Sequence, residues 1–179
     1  MTRTMAIDGP SGSGKSSVAD RLAQALNMAH LDTGSMYRAI TLDLLEQDIP
    51  VEDAEAIRKR LDAVNLTMEP GRVLLNGRDV TKRVREDDVT QKVSVVSGYD
   101  FVRRKLVAMQ QDIAKKQDVI LEGRDIGTVV LPHADLKIFL TAAPEERARR
   151  RLYDKKSTST MDFEQVLADI RRRDAYDST

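Results

Sequence analysis

Gly9-Pro10-Ser11-Gly12-Ser13-Gly14-Lys15-Ser16 is the stretch that decides the fold. It matches the pattern G-x-x-x-x-G-K-[S/T]. The flanks supply the context that the pattern needs. Residues 3–8 (RTMAID) read as a short buried strand running into the first glycine. From Lys15 to Asn27, Val18, Leu22, Ala25 and Leu26 recur at helical spacing, so a helix follows at once. Between strand and helix, the glycines let the backbone curl until successive N–H groups face inward, a cradle for phosphate oxygens. The positive end of the new helix adds to that cradle. Lys15 is placed to reach the β- and γ-phosphates of a nucleoside triphosphate, and the Ser16 hydroxyl to ligate a bridging Mg²⁺. The candidate ATP contacts are therefore Gly9, Ser11, Gly12, Ser13, Gly14, Lys15, Ser16 and Ser17. A glycine-rich turn with an incidental lysine is the plain alternative, and eight residues in order between the right elements leave it little room.

Outward from this loop, strands and helices alternate. Helices are predicted from Ser35 to Gln47 (Met36, Ile40 and Leu44 on one face) and around Ala54, Ile57 and Leu61. The period then changes to two: Val64, Leu66 and Met68 alternate with polar residues, Pro70-Gly71 turns the chain, Arg72–Leu75 returns, and Asn76-Gly77 turns it again. We read residues 62–98 as a β-rich insert ending in a helix that carries Val89, Val93 and Val96. A long helix over 101–116 follows, then apolar runs at 119–121 and 136–140, both read as inner parallel strands. Pro144 suits the first turn of another helix and Asp162 caps the last one. The expected fold is α/β, a parallel sheet flanked by helices, formed by residues 1–61 and 99–179 around the insert.

Composition narrows the function by exclusion. Lysine plus arginine (29) equal aspartate plus glutamate (29), and aromatics make up 4%, so neither a basic field nor a stacking platform for nucleic acid is offered. The absence of cysteine rules out disulfides and thiolate metal sites, and fits a reducing compartment. The N-terminal residues lack the apolar run of a signal peptide, and no segment approaches the length of a membrane span. A cytoplasmic, monomeric protein with neither membrane nor nucleic-acid partner is expected.

Three further segments carry a resemblance. LDTGSMYR (31–38), EGRDIGTVVLP (122–132) and RRRDAYDS (171–178), together with the β-rich insert, resemble bacterial cytidylate kinases from the first strand to the last residue. The resemblance implies ATP, with Mg²⁺, as phosphate donor and CMP, with dCMP, as acceptor. It places Thr33, Gly34, Tyr37, Arg38 and Arg124 at the acceptor phosphate, Asp125, Ser94 and Arg103 at the base, and Asp177 at the sugar. Read without it, Thr33 or Ser35 would be an ordinary helix cap, and Arg124 and Asp125 an ion pair at a strand end. Glu122 stands where an acidic residue would hold a water on Mg²⁺, or else is a solvated strand-end carboxylate.

Arg147, Arg149, Arg150 and Arg151 share one helix, Arg171–Arg173 the next, and the polar loop Lys155–Thr160 joins them. The pattern looks like the lid of a nucleoside monophosphate kinase, spanning about 149–161, which brings positive charge over the transferring phosphate. By resemblance Arg147, Arg151 and Arg173 act there with Lys15 and Arg124, while Glu145 and Glu146 are placed to pair with Arg149 and Arg150. The joining loop is shorter and poorer in glycine than the family leads one to expect, and a final strand and helix expected after Asp177 are not in the sequence. Two other readings compete: the same fold with a different small acceptor, and a nucleotide-binding switch. A switch needs a base-recognition motif that is not visible here and has no use for two arginine clusters.

Overall fold

A computed structural model describes residues 1–154 and 159–178. Its centre is a parallel sheet of β1 (Thr4–Asp8), β2 (Ala29–Asp32), β6 (Val119–Gly123) and β7 (Leu136–Phe139), in the order β2-β6-β1-β7. A three-stranded antiparallel sheet, β3 (Leu66–Glu69), β4 (Arg72–Leu75) and β5 (Arg78–Asp79), forms the insert. The helices are α1 (Lys15–Leu26), α2 (Gly34–Glu46), α3 (Ala54–Leu61), α4 (Asp87–Ser97), α5 (Asp100–Lys116), α6 (Pro144–Tyr153) and α7 (Phe163–Asp177).

β1 and β6 lie in the middle of the sheet and are apolar on both faces. Side chains alternate along a strand, so Met5, Ile7 and Ile120 pack with Ala19 and Met28 on the α1 side. Ala6, Val119 and Leu121 pack with Ala114 of α5 on the other. The parallel register sets Ile7 opposite Glu122, Asp8 opposite Gly123 and Asp32 opposite Glu122. The carboxyl ends of three strands thus coincide at one rim of the sheet, the place where open α/β sheets bind ligands.

The insert is not packed by itself. One apolar cluster joins Met36, Ile40 and Leu44 of α2, Ile57 of α3, Val73 and Leu75 of β4, Val89 and Val96 of α4, and Leu106 of α5. A bidentate ion pair from Arg60 to the buried Asp43 carboxylate, at 2.7 and 2.8 Å, ties α3 to α2. The turns follow their residues. Asn76 and Gly77 both take positive φ (50° and 81°), as a two-residue hairpin turn of this hand requires. Asp162 accepts the Gln165 N–H while the Gln165 side chain accepts from Asp162 N–H, the reciprocal cap at the start of α7.

The reading of 136–140 as an inner strand is corrected. Among the described residues β7 pairs with β1 alone and forms the edge of the sheet, with Leu136 46% and Phe139 69% exposed. An apolar run states that a strand has something to bury. It does not state which strand lies on its far side, and here Ile138 and Leu140 turn to the core while Leu136 and Phe139 do not.

Gly9 marks where the phosphate loop leaves the sheet. Its φ is +152°, and a Cβ there would lie 2.1 Å from the Leu140 carbonyl oxygen, because the chain passes close over the end of β7. The Leu140 N–H also donates to the Asp8 carbonyl at 2.8 Å. Gly9→Ala should therefore destabilise the protein by at least the strain of a forbidden conformation, about 1–3 kcal/mol. That corresponds to a fall in Tm of roughly 3–10 °C for a domain of this size. Thermal denaturation followed by circular dichroism checks it, and an unchanged Tm would contradict the close approach.

Candidate active site

A cleft of about 560 Å³ opens at the rim of the parallel sheet. The phosphate loop forms one wall. Gly14 ends the loop with φ +93°, and α1 begins at Lys15, leaving the first N–H groups of the helix without intrahelical partners and facing the cleft. Lys15 Nζ donates to the Pro10 carbonyl at 3.0 Å. Burial pushes the Lys15 ammonium down to about 8, and the Arg124 cation pushes the same way against Glu122 and Asp32. Gly9 itself backs onto Leu140, whereas Ser11, Gly12, Ser13, Gly14, Lys15, Ser16 and Ser17 line the cleft.

At the floor, Ser16 Oγ donates to Glu122 Oε1 at 2.6 Å. Glu122 is 2% exposed, which removes the alternative of a solvated strand-end carboxylate. Its second oxygen, Oε2, is buried and makes no hydrogen bond. A hydroxyl and an orphaned carboxylate oxygen beside a phosphate cradle fit Mg²⁺, which takes one or two protein ligands and completes its octahedron with phosphates and water. Among the described residues no cluster of three or more histidine, aspartate or glutamate side chains could hold a metal by itself, so the nucleotide would have to bring the rest of the coordination.

The opposite wall is the turn after β6. The buried Asp8 carboxylate accepts from the N–H groups of Ile126 and Gly127, each at 2.8 Å. This fixes the single π-helical turn Ile126–Val130, and with it the two residues just before it, Arg124 and Asp125. Asp125 forms an ion pair with Arg103 of α5, and Arg124 one with Asp177 of α7. Tyr37, Arg38 and Ser94 line the same cleft. Arg38 donates to Thr90 Oγ1 at 2.7 Å and to the Val84 carbonyl at 3.1 Å. Burial lowers its pKa to about 10.

The start of α2 stands at the cleft with its donors already engaged. Thr33 and Gly34 line the cleft, but neither presents a spare donor. The Thr33 hydroxyl donates to the Glu122 carbonyl at 2.7 Å, and the Gly34 N–H donates to Asp32 Oδ1 at 3.0 Å. The start of α2 is spent on holding β2 and β6 together. The alternative reading of Thr33 or Ser35 as an ordinary helix cap is not what forms: Ser35 Oγ donates to Asp32 Oδ2.

The arginines separate into two groups. Arg147 is only 3% exposed and does not line the cleft; its guanidinium donates to both Asp174 oxygens, to the Ala142 carbonyl and to the Ser11 carbonyl. The structure places it behind the cleft, against α7 and the Ser11 carbonyl of the phosphate loop. It binds α6, α7 and the phosphate loop to one another, because it lies on the face of α6 turned toward α7. Arg150, which the sequence reading placed only as a partner for a helix glutamate, also lines the cleft, with Nη1 3.3 Å from the Ser13 carbonyl. Arg151 lines it as well and donates to Asp169 at 2.7 Å. Burial opposes the charge on Asp169, yet hydrogen bonds from Arg151 and Arg172 hold its carboxyl below the usual range. Glu146 pairs with Arg149 and Arg150 as expected, whereas Glu145 reaches across to Arg171. The base of the lid touches the insert: Thr160 N–H donates to Asp87 at 3.1 Å, and Arg172 to the Gln91 carbonyl at 2.9 Å. The middle of the expected lid loop, 155–158, lies outside the described residues.

Arg173 and Arg38 are the exceptions. Arg103, Arg124, Arg147 and Arg151 each have a carboxylate partner. Among the described residues neither Arg38 nor Arg173 forms an ion pair. Arg173 is 7% exposed, its Nε makes no hydrogen bond, and its Nη1 reaches Ser11 Oγ only at 3.4 Å. Burial, then repulsion from Arg38, Arg124 and Arg151, pulls its pKa well below the usual guanidinium value. A buried arginine and a half-buried one, neither with a carboxylate partner among the described residues, leave positive charge opposite the phosphate cradle.

The fold and this site define a P-loop phosphotransferase. The sequence places it further: residues 5–179 match the family described as cytidylate kinase, and the chain belongs to that family. It is 48% identical over 179 residues to a protein named cytidylate kinase from Caldanaerobacter subterraneus subsp. tengcongensis, covering 99% of this chain and 80% of that protein. It is 50% identical over 177 residues to the one from Mycobacterium leprae, covering 98% and 79%. Among solved structures, a shikimate kinase from Bacteroides thetaiotaomicron superposes with a TM-score of 0.48 at 12% identity, over 98% of this chain and 82% of that one. No helix among the described residues is long and apolar enough to cross a membrane.

Asp8, Asp169 and Asp174 were not singled out from the sequence. Asp8 carried one usable signal, a carboxylate at the strand end directly before the loop. The α7 carboxylates carried none, since acids beside arginines on a helix read as surface pairs.

The depressed Lys15 ammonium generates a prediction. In the free protein its charge is lost as pH rises through about 8. Bound phosphates restore the charge, so ATP binding at pH 8.5 should take up protons. Calorimetric titration with ATP in two buffers of different ionisation enthalpy measures that uptake. Uptake should vanish at pH 6.5, and its absence at both pH values would contradict the assignment.

Proposed function

We propose that this protein transfers the γ-phosphate of ATP to CMP, and to dCMP, giving ADP and CDP or dCDP. The observation that carries the acceptor is the Arg103–Asp125 pair beside Ser94, in the cleft shared with the phosphate loop. Cytosine presents an exocyclic N4 amine next to the N3 acceptor. Asp125 suits the amine and Arg103 suits N3 or O2; uracil would set a carbonyl oxygen against the carboxylate.

The remaining roles follow from charge. Arg38 and Arg124 hold the acceptor phosphate, Arg124 exchanging Asp177 for it, which frees Asp177 for the sugar. Arg151 and Arg173 approach the phosphoryl group in flight, where charge spreads over its equatorial oxygens. Lys15 leaves the Pro10 carbonyl for the β- and γ-phosphates. Mg²⁺ held near Ser16 and Glu122 would supply further neutralisation of the phosphates. No general base is needed, because the attacking oxygen belongs to an ionised phosphate, and positioning with charge stabilisation suffices. The reading includes a monomeric, cytoplasmic protein without nucleic-acid or membrane partner; balanced charge and absent cysteine support it.

A panel of nucleoside monophosphates with ATP and Mg²⁺ tests the acceptor. CMP should exceed UMP in kcat/KM by about 10-fold or more, since a mispaired buried polar group costs about 1–3 kcal/mol. Asp125→Asn should narrow that gap. AMP or GMP as the best acceptor would sink the reading.

The same reading requires movement. Residues 149–161 and the insert, 62–98, have to close over bound substrates, because the lid arginines act only near the transferring group. Hydrogen exchange with CMP and a non-hydrolysable ATP analogue should show added protection in both segments. Unchanged protection under confirmed binding would leave a rigid cleft.

A further inference from the structure

His30 sits on β2 between two carboxylates. Its Nδ1 lies 2.6 Å from Asp20 Oδ1 on α1, and its Nε2 lies 3.6 Å from Glu122 Oε2 on β6. Both facing atoms, His30 Nε2 and Glu122 Oε2, are buried and make no other hydrogen bond. The other Glu122 oxygen holds the Ser16 hydroxyl at 2.6 Å. A chain of contacts thus runs from the second turn of α1 through β2 and β6 back to its first turn: Asp20, His30, Glu122, Ser16.

Glu122 has two carboxylate oxygens and one firm hydrogen-bond partner. A buried carboxylate held at one oxygen is free to rotate about its last torsion, and rotation would carry Oε1 away from Ser16. The imidazole edge, 3.6 Å from Oε2, is the polar group that faces the unheld oxygen, and Asp20 in turn holds the ring. Outer partners of this kind set the orientation of metal-binding groups, and removing one commonly weakens metal affinity about 10- to 100-fold.

We infer that His30 is a positioning residue for the magnesium end of the site: it orients Glu122, and through Glu122 the Ser16 hydroxyl, toward the cation that arrives with ATP. The inference rests on reading Ser16 and Glu122 as that end of the site. His30 touches no substrate. Its effect is confined to the gain in ATP affinity that Mg²⁺ confers.

The test compares two substitutions by calorimetric titration of ATP, with excess Mg²⁺ and with EDTA. His30→Asn keeps a donor near Asp20 but is too short to reach Glu122. His30→Gln places an amide N–H₂ where Nε2 was. In the native protein Mg²⁺ should tighten ATP binding. In His30→Asn that gain should fall by about 10-fold or more, with ATP affinity in EDTA unchanged. His30→Gln should recover most of the gain. A purely structural histidine would lower Tm in both variants and leave the gain intact, which overturns the inference. An equal loss in both variants overturns it as well. A native protein that binds ATP equally with and without Mg²⁺ would instead refute the reading of Ser16 and Glu122, and the inference with it.

Discussion

Among the described residues eight cations, Lys15, Arg38, Arg85, Arg103, Arg124, Arg150, Arg151 and Arg173, line one cleft, and the chain has to hold them there before any anion is bound. Unit charges a few ångströms apart repel by several kcal/mol at the effective dielectric of a protein surface, about 4 kcal/mol at 4 Å. Much of the architecture answers this constraint. α7 supplies Asp169, Asp174 and Asp177, which take Arg151, Arg147 and Arg124, and of these aspartates Asp177 lines the cleft. Arg38 is steadied by neutral acceptors, Thr90 and the Val84 carbonyl. What is left over, chiefly Arg173, is field aimed at the space between the phosphate loop and the acceptor turn. A field already in place when substrate arrives costs no reorganisation during transfer, and this is the larger part of what a protein can do for phosphoryl chemistry.

The two walls of the cleft are joined by one buried carboxylate. Asp8 ends β1 immediately before Gly9, and its side chain takes the N–H groups at the start of the Ile126–Val130 turn. Donor loop and acceptor turn are therefore referenced to the same residue. The parallel register of β1 and β6 makes this possible, because it brings Asp8 beside Gly123. Glu122, one residue earlier, meets Ser16 on the other side. A shift of one residue in that register would turn Glu122 to the opposite face of the sheet and separate it from the loop.

The packing of α6 on α7 also governs where its arginines go. Helix α6 packs on α7 through Ala148 against Val166, Leu167 and Ile170. Arg147 and Arg151, four residues apart, share the side of α6 turned toward α7 and take Asp174 and Asp169 there. Arg147 also braces Ser11, while Arg150 and Arg151 line the cleft.

The sequence by itself determined what is local. A glycine-rich octapeptide between a strand and a helix specified the phosphate cradle, because φ > 0 and close backbone approach leave glycine as the residue for those positions. Period-two and period-3.6 patterns specified the elements, and the turn residues specified the hairpins of the insert. Arg38, Arg124 and Asp125 drew attention because they stand inside recognisable segments, whereas Ser94 and Arg103 came only with the family resemblance. Tertiary structure alone showed that, among the described residues, β7 pairs with β1 alone, since an apolar run looks the same whether one neighbour or two flank it. It alone decided that the Thr33 hydroxyl is spent on Glu122, that Asp8 clamps a turn 118 residues away, and that His30 lies between Asp20 and Glu122. Those contacts join residues far apart in the chain, and pairing between distant segments is set by the packing of the whole core, which no local pattern encodes.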